Sequence, residues 1–335
     1  MTNPFTLFAQ HYGVISTLES ELRAGLERFW RTAGTILNGS AIQLVPTDQA
    51  SFSLPRNFFS TLFLYSYYRT GIPSERRILY AAVNQCLRGM VTGCDNLLDD
   101  EYKVTLETDL PPQAHRFRSV LDIMVADRVL FAILQDYCRA HDFSVDLALQ
   151  ASTASLQALT RSGVQEASEE GGIGAQEERL APDVILSKIH HLKTGILFQS
   201  TWAIPALFEK EITNKAQAEV QSVQEALHQI GIGCQIFDDI VDLFIDVHEQ
   251  RHNYVASVIV HQESASLCEQ MRNGVSCEQT IDRFYASCPE LFVRMKTLAM
   301  TTLESGLRQL FLDEHQSFVR PAASFIANRI GVKMD

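Results

Sequence analysis

Apolar residues in this chain return every three or four positions. Between Ser74 and Asp100 they fall at Leu79, Val83, Cys86, Leu87, Met90, Cys94, Leu97 and Leu98. That is the spacing of one helix face, not the alternation of a half-buried strand. The same pattern runs through Arg118–Arg139, Asp183–Ala203, Lys215–Ile245, Asn253–Met271 and Pro289–Leu312. No alternating β-branched runs flank an Asn-Gly or Asp-Gly turn, so hairpins are not expected. Breaks are expected at Gly39–Pro55, Gly71–Ser74, Thr105–Pro112 and Gly163–Pro182, where Gly, Pro and capping residues gather. None reads as a linker between independent domains. The pattern predicts one all-α domain over residues 1–335, built from about ten helices.

Composition then narrows the function classes. Lys and Arg number 28 against 40 Asp and Glu, a net charge of −12. Nucleic acid is not an expected partner, because phosphate contacts need a basic surface. The 7 cysteines are irregularly spaced with no CxxC, which argues against a disulfide framework and a zinc finger. The N-terminal MTNPFTLFAQHYG has no basic region leading into an apolar run, so it does not read as a secretory signal. The longest apolar stretch, Gly195–Phe208, is interrupted by Gln199, Ser200, Thr201 and Pro205 and is too short and polar to span a bilayer. A reduced, cytoplasmic protein without a stable membrane span is expected.

The acidic excess is concentrated in two places. One is Cys94-Asp95-Asn96-Leu97-Leu98-Asp99-Asp100-Glu101, closing a long apolar helix; the other is Gln235-Ile236-Phe237-Asp238-Asp239-Ile240-Val241-Asp242. Asp95 and Asp99 are four apart, as are Asp238 and Asp242, so each pair shares one helix face. Paired carboxylates repel one another, and more so beside an apolar core, unless a cation lies between them. Mg²⁺ favours oxygen ligands and commonly completes its shell with substrate phosphate oxygens. Two such clusters imply cations that clamp a diphosphate and stabilise charge on it as it leaves.

The segment IGIGCQIFDDIVD resembles the second aspartate-rich motif of the trans-isoprenyl diphosphate synthases, the polyprenyl synthetase family. DNLLDD resembles that family's first motif, with Asn96 in place of the second Asp. Lys193-Thr194-Gly195 is similar to the segment that helps bind the allylic diphosphate, and His115-Arg116-Phe117 with Ala126-Asp127 resembles the stretch after the first motif. Order and spacing agree over roughly residues 50–260. The resemblance implies the isoprenoid synthase fold, a helical bundle around a deep central cavity, and a homodimer. It implies Mg²⁺, several ions per site, on Asp95, Asp99, Asp238 and Asp242, with Asp100 and Asp239 in support. Lys193, Thr194 and Arg251 would hold the diphosphate of a prenyl diphosphate substrate, with Gln235 beneath it. Met90 and Val91, five and four residues before Asp95, would floor the hydrocarbon pocket, with Leu87 one turn deeper; none is aromatic, so the tail should reach roughly fifteen carbons or more at about 1.5 Å per helical residue.

The departures concern the acceptor. Where the family binds isopentenyl diphosphate through a Gly-Lys-Arg-x-Arg-Pro stretch, this chain reads Ser51-Phe52-Ser53-Leu54-Pro55-Arg56, leaving Arg56. The region after the first motif, YKVTLETDLPPQA, has one base, Lys103. Each missing charge-assisted bond is worth about 1.5–3 kcal/mol. Ionisation of an allylic diphosphate is therefore expected, by a terpene-synthase-like reaction or transfer to a non-standard acceptor. Chain elongation with isopentenyl diphosphate is the alternative. A non-catalytic partner subunit is a third, opposed by the surviving aspartates.

Other signals read more plainly. His248-Glu249-Gln250-Arg251-His252 has the HExxH form of zinc peptidases, but it is polar and follows a helix already committed to aspartates. His190 and His191 read as core or surface histidines. Phe58, Phe59, Phe63, Tyr65, Tyr67 and Tyr68 read as core, with the lining of a carbocation cavity as the alternative. Gln165–Arg179, with 5 Glu and 3 Gly, reads as a solvated loop or frayed helix end, with a lid as the alternative.

Overall fold

A computed structural model describes residues 13–99, 102–173, 179–213, 217–275 and 277–334. Among these residues the structure is helical, with one antiparallel bridge between Leu44 and Thr108 as its extended pairing. The helices are α1 Gly13–Leu37, α2 Phe58–Arg69, α3 Ser74–Leu98, α4 His115–Ala140 and α5 Val145–Glu169. A stretch over residues 182–200, labelled α6, follows; its middle, Ile185–Gly195, is a π-helix. Then come α7 Ala203–Thr213, α8 Gln217–Val241, α9 Leu243–His248, α10 Tyr254–Gln262, α11 Ala265–Arg272, α12 Glu278–Ser287, α13 Pro289–Leu310 and α14 Val319–Ile330. The chain divides into two compact units, Met1–Gln157 with Thr201–Ala216, and Ala158–Ser200 with Gln217–Asp335.

In the first unit α3 is central and packs against α1, α2 and α4. Leu18, Leu22, Leu26 and Phe29 of α1 and Leu79, Ala82, Val83 and Cys86 of α3 are all buried, and a Cβ on Gly25 would stand 3.0 Å from the Ala82 backbone nitrogen, so α1 and α3 approach closely. A Cβ on Gly93 would stand 2.9 Å from the Ser119 carbonyl oxygen, so α3 and α4 approach closely just before Asp95. Three of the six aromatic residues of α2, Phe58, Tyr65 and Tyr67, are buried in this core. Tyr67 is fully buried; its hydroxyl donates to the Thr201 carbonyl at 2.7 Å, and Trp202 Nε1 donates to Ser66 Oγ at 2.8 Å. Two buried glutamates of this core are met by guanidinium groups, which offsets the cost of holding charge away from water. Arg77 bonds Glu21 at 2.8 Å, and Arg76 and Tyr80 share Glu209 at 2.7 and 2.9 Å.

In the second unit α8 is central. It packs most extensively against α13, and also against the π-helical stretch, α10 and α14. The glycines of IGIGC make this contact possible. A Cβ on Gly233 would stand 2.8 Å from the Leu303 backbone nitrogen, and one on Gly231 would stand 2.7 Å from the Thr194 carbonyl oxygen. Any side chain at either position would force the helices apart.

The periodicity located the helices but not all their ends. Among the described residues there are 14 helices rather than about ten. Asn253–Met271 is two helices, because Ser264 caps α11 by accepting from the Leu267 N–H at 3.3 Å. Lys215–Ile245 breaks at Asp242, and Gly163 lies inside α5 rather than in a break. Gln165 to Glu169 are therefore helical, not loop. Asp100, and residues 174–178 of the polar segment, lie outside the described residues. Replacing Gly233 with Val should destabilise the protein by about 1–3 kcal/mol through overpacking. Urea unfolding checks this, with an unchanged midpoint as the contrary result.

Candidate active site

The first carboxylate pair closes α3. The Asp99 N–H bonds the Asp95 carbonyl at 2.9 Å, and the helix stops there. Asp95 is half-buried and Asp99 exposed. Asn96 faces the other way. It is 3% exposed, its amide donates to the Lys103 carbonyl at 3.0 Å, and its oxygen accepts the Lys103 N–H at 2.8 Å. This two-bond clamp pins the loop that follows. A carboxylate here could accept but could not donate, which explains why an amide stands at this position. Met90 and Val91 are half-buried and Leu87 is buried on the same helix.

Arg56 is exposed and lies 3.9 Å from Asp48. Its neighbour Asn57 is buried, donates to the Ser51 and Ser53 carbonyls at 2.8 and 3.0 Å, and accepts from Arg88 Nη1 at 3.0 Å. Arg88 is thus a second guanidinium beside the Arg56 segment. The sequence reading missed it because it stands alone within the α3 pattern, outside any basic run.

The second carboxylate cluster closes α8, and here the polar groups converge. Gln235 is its hub. Its Nε2 donates to Asp238 Oδ2 and to Asp239 Oδ1, each at 3.1 Å, while its Oε1 takes the Thr194 hydroxyl. The Lys193-Thr194 segment and the second aspartate motif are therefore in direct contact. Asp238 is open to water and Asp242 is half-buried, whereas Asp239 is 1% exposed. Asp239 points inward. Its Oδ2 lies 2.9 Å from His190 Nε2 and accepts the Tyr254 N–H at 2.5 Å.

Lys193 Nζ lies 3.3 Å from Glu166 Oε2, and Ser162 Oγ donates to the Lys193 carbonyl. Burial alone would lower the ammonium pKa, but the surrounding charges of Glu166, Glu169, Asp246 and Asp239 outweigh it and raise it. The sequence reading missed Glu166 and Glu169 because they fell in a stretch taken as solvated. It missed Asp246 although this residue continues the four-residue step from Asp238 and Asp242. Asp246 accepts from Asn253 Nδ2 at 2.8 Å, and Glu169 accepts the His252 N–H at 2.9 Å. Arg251 pairs with Glu249 at 3.0 Å, and its carbonyl accepts from Arg179 at 3.1 Å.

The HExxH spacing does not form a zinc site. α9 ends at His248, and Gln250 takes a left-handed φ of 58°, so His248 and His252 do not share a helix face. Among the described residues no three His, Cys, Asp or Glu groups converge to hold a metal ion on their own.

The electrostatics are those of crowded, poorly hydrated carboxylates. The Asp238 carboxyl is pushed up to about 7, first by the protein around it, which limits hydration, then by the charges of Asp242 and Asp239. Asp246 is pushed up to about 8, by burial and then by Asp239. Both hold a proton to higher pH in the folded chain than in the unfolded one. Folded protein therefore binds more protons between the ordinary carboxylate range and about pH 8, and stability falls as pH rises through that window. Without divalent cations, the melting temperature should be higher near about pH 5 than near about pH 8. Asp246→Asn should flatten that slope in calorimetry; an equally steep slope would contradict the assignment.

No protein-family model matches this sequence, and no curated protein matches it. Solved structures do match its fold. A geranylgeranyl pyrophosphate synthase aligns over 95% of this chain and 99% of its own, with TM-score 0.60 and 14% identity. A decaprenyl diphosphate synthase from Rhodobacter capsulatus aligns over 93% and 99%, with TM-score 0.55 and 13% identity. A polyprenyl synthase from Caulobacter crescentus, solved with calcium and isoprenyl diphosphate, aligns over 94% and 98%, with TM-score 0.54 and 13% identity. The chain is similar to these proteins in fold, that of the all-α isoprenoid synthases.

Proposed function

We propose that this chain is a divalent-cation-dependent isoprenoid synthase that ionises an allylic prenyl diphosphate and releases diphosphate. One catalytic domain, residues 1–335, would carry the reaction. The observation behind this reading is the contact between Thr194 and Gln235, which joins the Lys193-Thr194 segment to the second aspartate motif. A cationic ammonium, a hydroxyl and the solvent-facing carboxylate of Asp238 stand together there. That donor set suits a diphosphate with its counter-ions and little else.

Magnesium fits the residues present. The donors are oxygens, the Asp238 carboxyl is pushed up first by its surroundings and then by Asp242 and Asp239, and among the described residues no three protein groups converge to hold an ion alone. Mg²⁺ is the cation that completes its shell with substrate phosphate oxygens and water. Asp95, Asp99, Asp238 and Asp242 would hold it. Asp239 would organise the site from within, since its oxygens are already engaged. When bound, the metal would supply charge stabilisation to the leaving diphosphate. Lys193 would hold a diphosphate oxygen once that oxygen displaces Glu166, and Arg251 would assist from the 249–252 turn.

Release without elongation remains the favoured outcome, because Arg56 and Arg88 stand where the family resemblance implies several more bases. Elongation is the second reading, and Arg88 beside Asn57 is the observation that favours it. A homodimer is proposed from exposed apolar stripes at helical spacing, Phe117, Val120 and Met124 on α4 and Val145, Leu149 and Leu156 on α5. Among the described residues no helix is long and apolar enough to cross a membrane. The cytoplasm is proposed as the compartment from the irregular spacing of the cysteines, whose thiols stay reduced there.

The test is incubation of the protein with Mg²⁺ and allylic diphosphates of increasing length, with and without isopentenyl diphosphate, followed by mass spectrometry of products. Diphosphate release without longer prenyl diphosphates is expected; efficient elongation would favour the second reading, and no turnover of any substrate would sink both. Asp238→Ala and Asp95→Ala should each abolish turnover without lowering the metal-free melting temperature. Met90→Phe should shift preference to shorter substrates while leaving metal affinity unchanged. An unaltered length profile would mean that the hydrocarbon does not run along this face of α3.

A further inference from the structure

We infer that His190 is a positioning residue for the diphosphate site, acting through Asp239; this rests on the reading above that Asp238 faces the substrate. His190 lies in the π-helical stretch three residues before Lys193 and is 1% exposed. Among the described residues neither of its ring nitrogens makes an aligned hydrogen bond. A buried imidazole without one is costly, and an apolar side chain would fill the same space without that cost. What the imidazole adds is its contact with Asp239, 2.9 Å from Nε2 to Oδ2.

Asp239 and Asp238 are adjacent on α8, yet one carboxylate is turned inward and its neighbour is open to water. Three groups hold Asp239 inward. The Tyr254 N–H bonds Oδ2 at 2.5 Å, Gln235 Nε2 bonds Oδ1 at 3.1 Å, and His190 lies against Oδ2. The same Gln235 nitrogen bonds Asp238 Oδ2 at 3.1 Å, and the Gln235 oxygen takes the Thr194 hydroxyl. The amide can satisfy all three partners only with its nitrogen toward the aspartates and its oxygen toward Thr194. That orientation depends on Asp239 staying where His190 holds it. A relay runs from His190 through Asp239 and Gln235 to Asp238 on one side and Thr194 on the other. The π geometry brings both ends of it, His190 and Thr194, from one helical segment to one end of α8. Loss of the imidazole would free Asp239, release Gln235 and blur the placement of Asp238.

The experiment measures binding of inorganic diphosphate in Mg²⁺ by calorimetry, together with kcat and KM for an allylic diphosphate. It uses full-length wild type, Asp238→Asn, His190→Phe and His190→Gln. His190→Phe should weaken diphosphate binding at least roughly tenfold and lower kcat, without lowering the melting temperature. His190→Gln, whose amide can still donate to Asp239, should recover much of the loss. Wild-type affinity in both His190 variants would overturn the inference. Equal weakening in both would also overturn it, because ring packing rather than the polar contact would then be at work. Should His190→Phe fail to fold, His190→Gln decides: near-wild-type binding with unchanged kcat supports the relay, and tenfold weaker binding refutes it. Wild-type protein that binds no diphosphate in Mg²⁺ would instead refute the functional reading itself.

Discussion

Negative charge held against an apolar helix core is the constraint around which the second unit is organised. Asp238, Asp239, Asp242 and Asp246 follow one another along α8 and α9, and like charges at this spacing repel. The fold answers three of them differently. Asp239 is drawn into the protein by Tyr254, Gln235 and His190. Asp246 is anchored by Asn253. Lys193 stands among the acids as a counter-charge. Asp238 is left open to water with its proton affinity raised. Positive charge brought to such a site would stabilise the folded chain.

Polar side chains tie both aspartate motifs into the fold. Asn96 stands inside the first aspartate motif, yet its work is to clamp the Lys103 backbone and fix the loop beyond α3. Gln235 stands inside the second and distributes its amide among two carboxylates and a hydroxyl. In both cases an amide succeeds where a carboxylate would fail, because it both donates and accepts. The glycines before Gln235 are part of the same design. Gly231 and Gly233 let the π-helical stretch and α13 come within backbone distance of α8, which sets the geometry the Thr194–Gln235 contact needs.

Helical architecture was legible in the sequence because period and residue chemistry are local. Apolar steps of three and four marked α3, α4, α8 and α13, and the four-residue aspartate spacing marked both carboxylate pairs as shared helix faces. Ends were less legible. Ser264 was not read as a cap inside an apolar run, and Gly163 was read as a break although the helix passes through it. A single residue of either kind weighs less than the packing of the whole helix.

What the sequence determined alone was therefore the class of the fold and the identity of the acidic motifs, since both follow from side-chain type and spacing along one helix. What only the tertiary structure decided was which of those acids face outward. Asp238 and Asp239 are neighbours of the same type, and no local rule separates them. Their roles diverge because His190 and Tyr254, distant in the chain, are brought against one and not the other. Glu166, Glu169 and Arg88 were hidden for the same reason. Their partners Lys193, His252 and Asn57 are supplied by other segments, and electrostatic partnership is a property of folded space rather than of chain order.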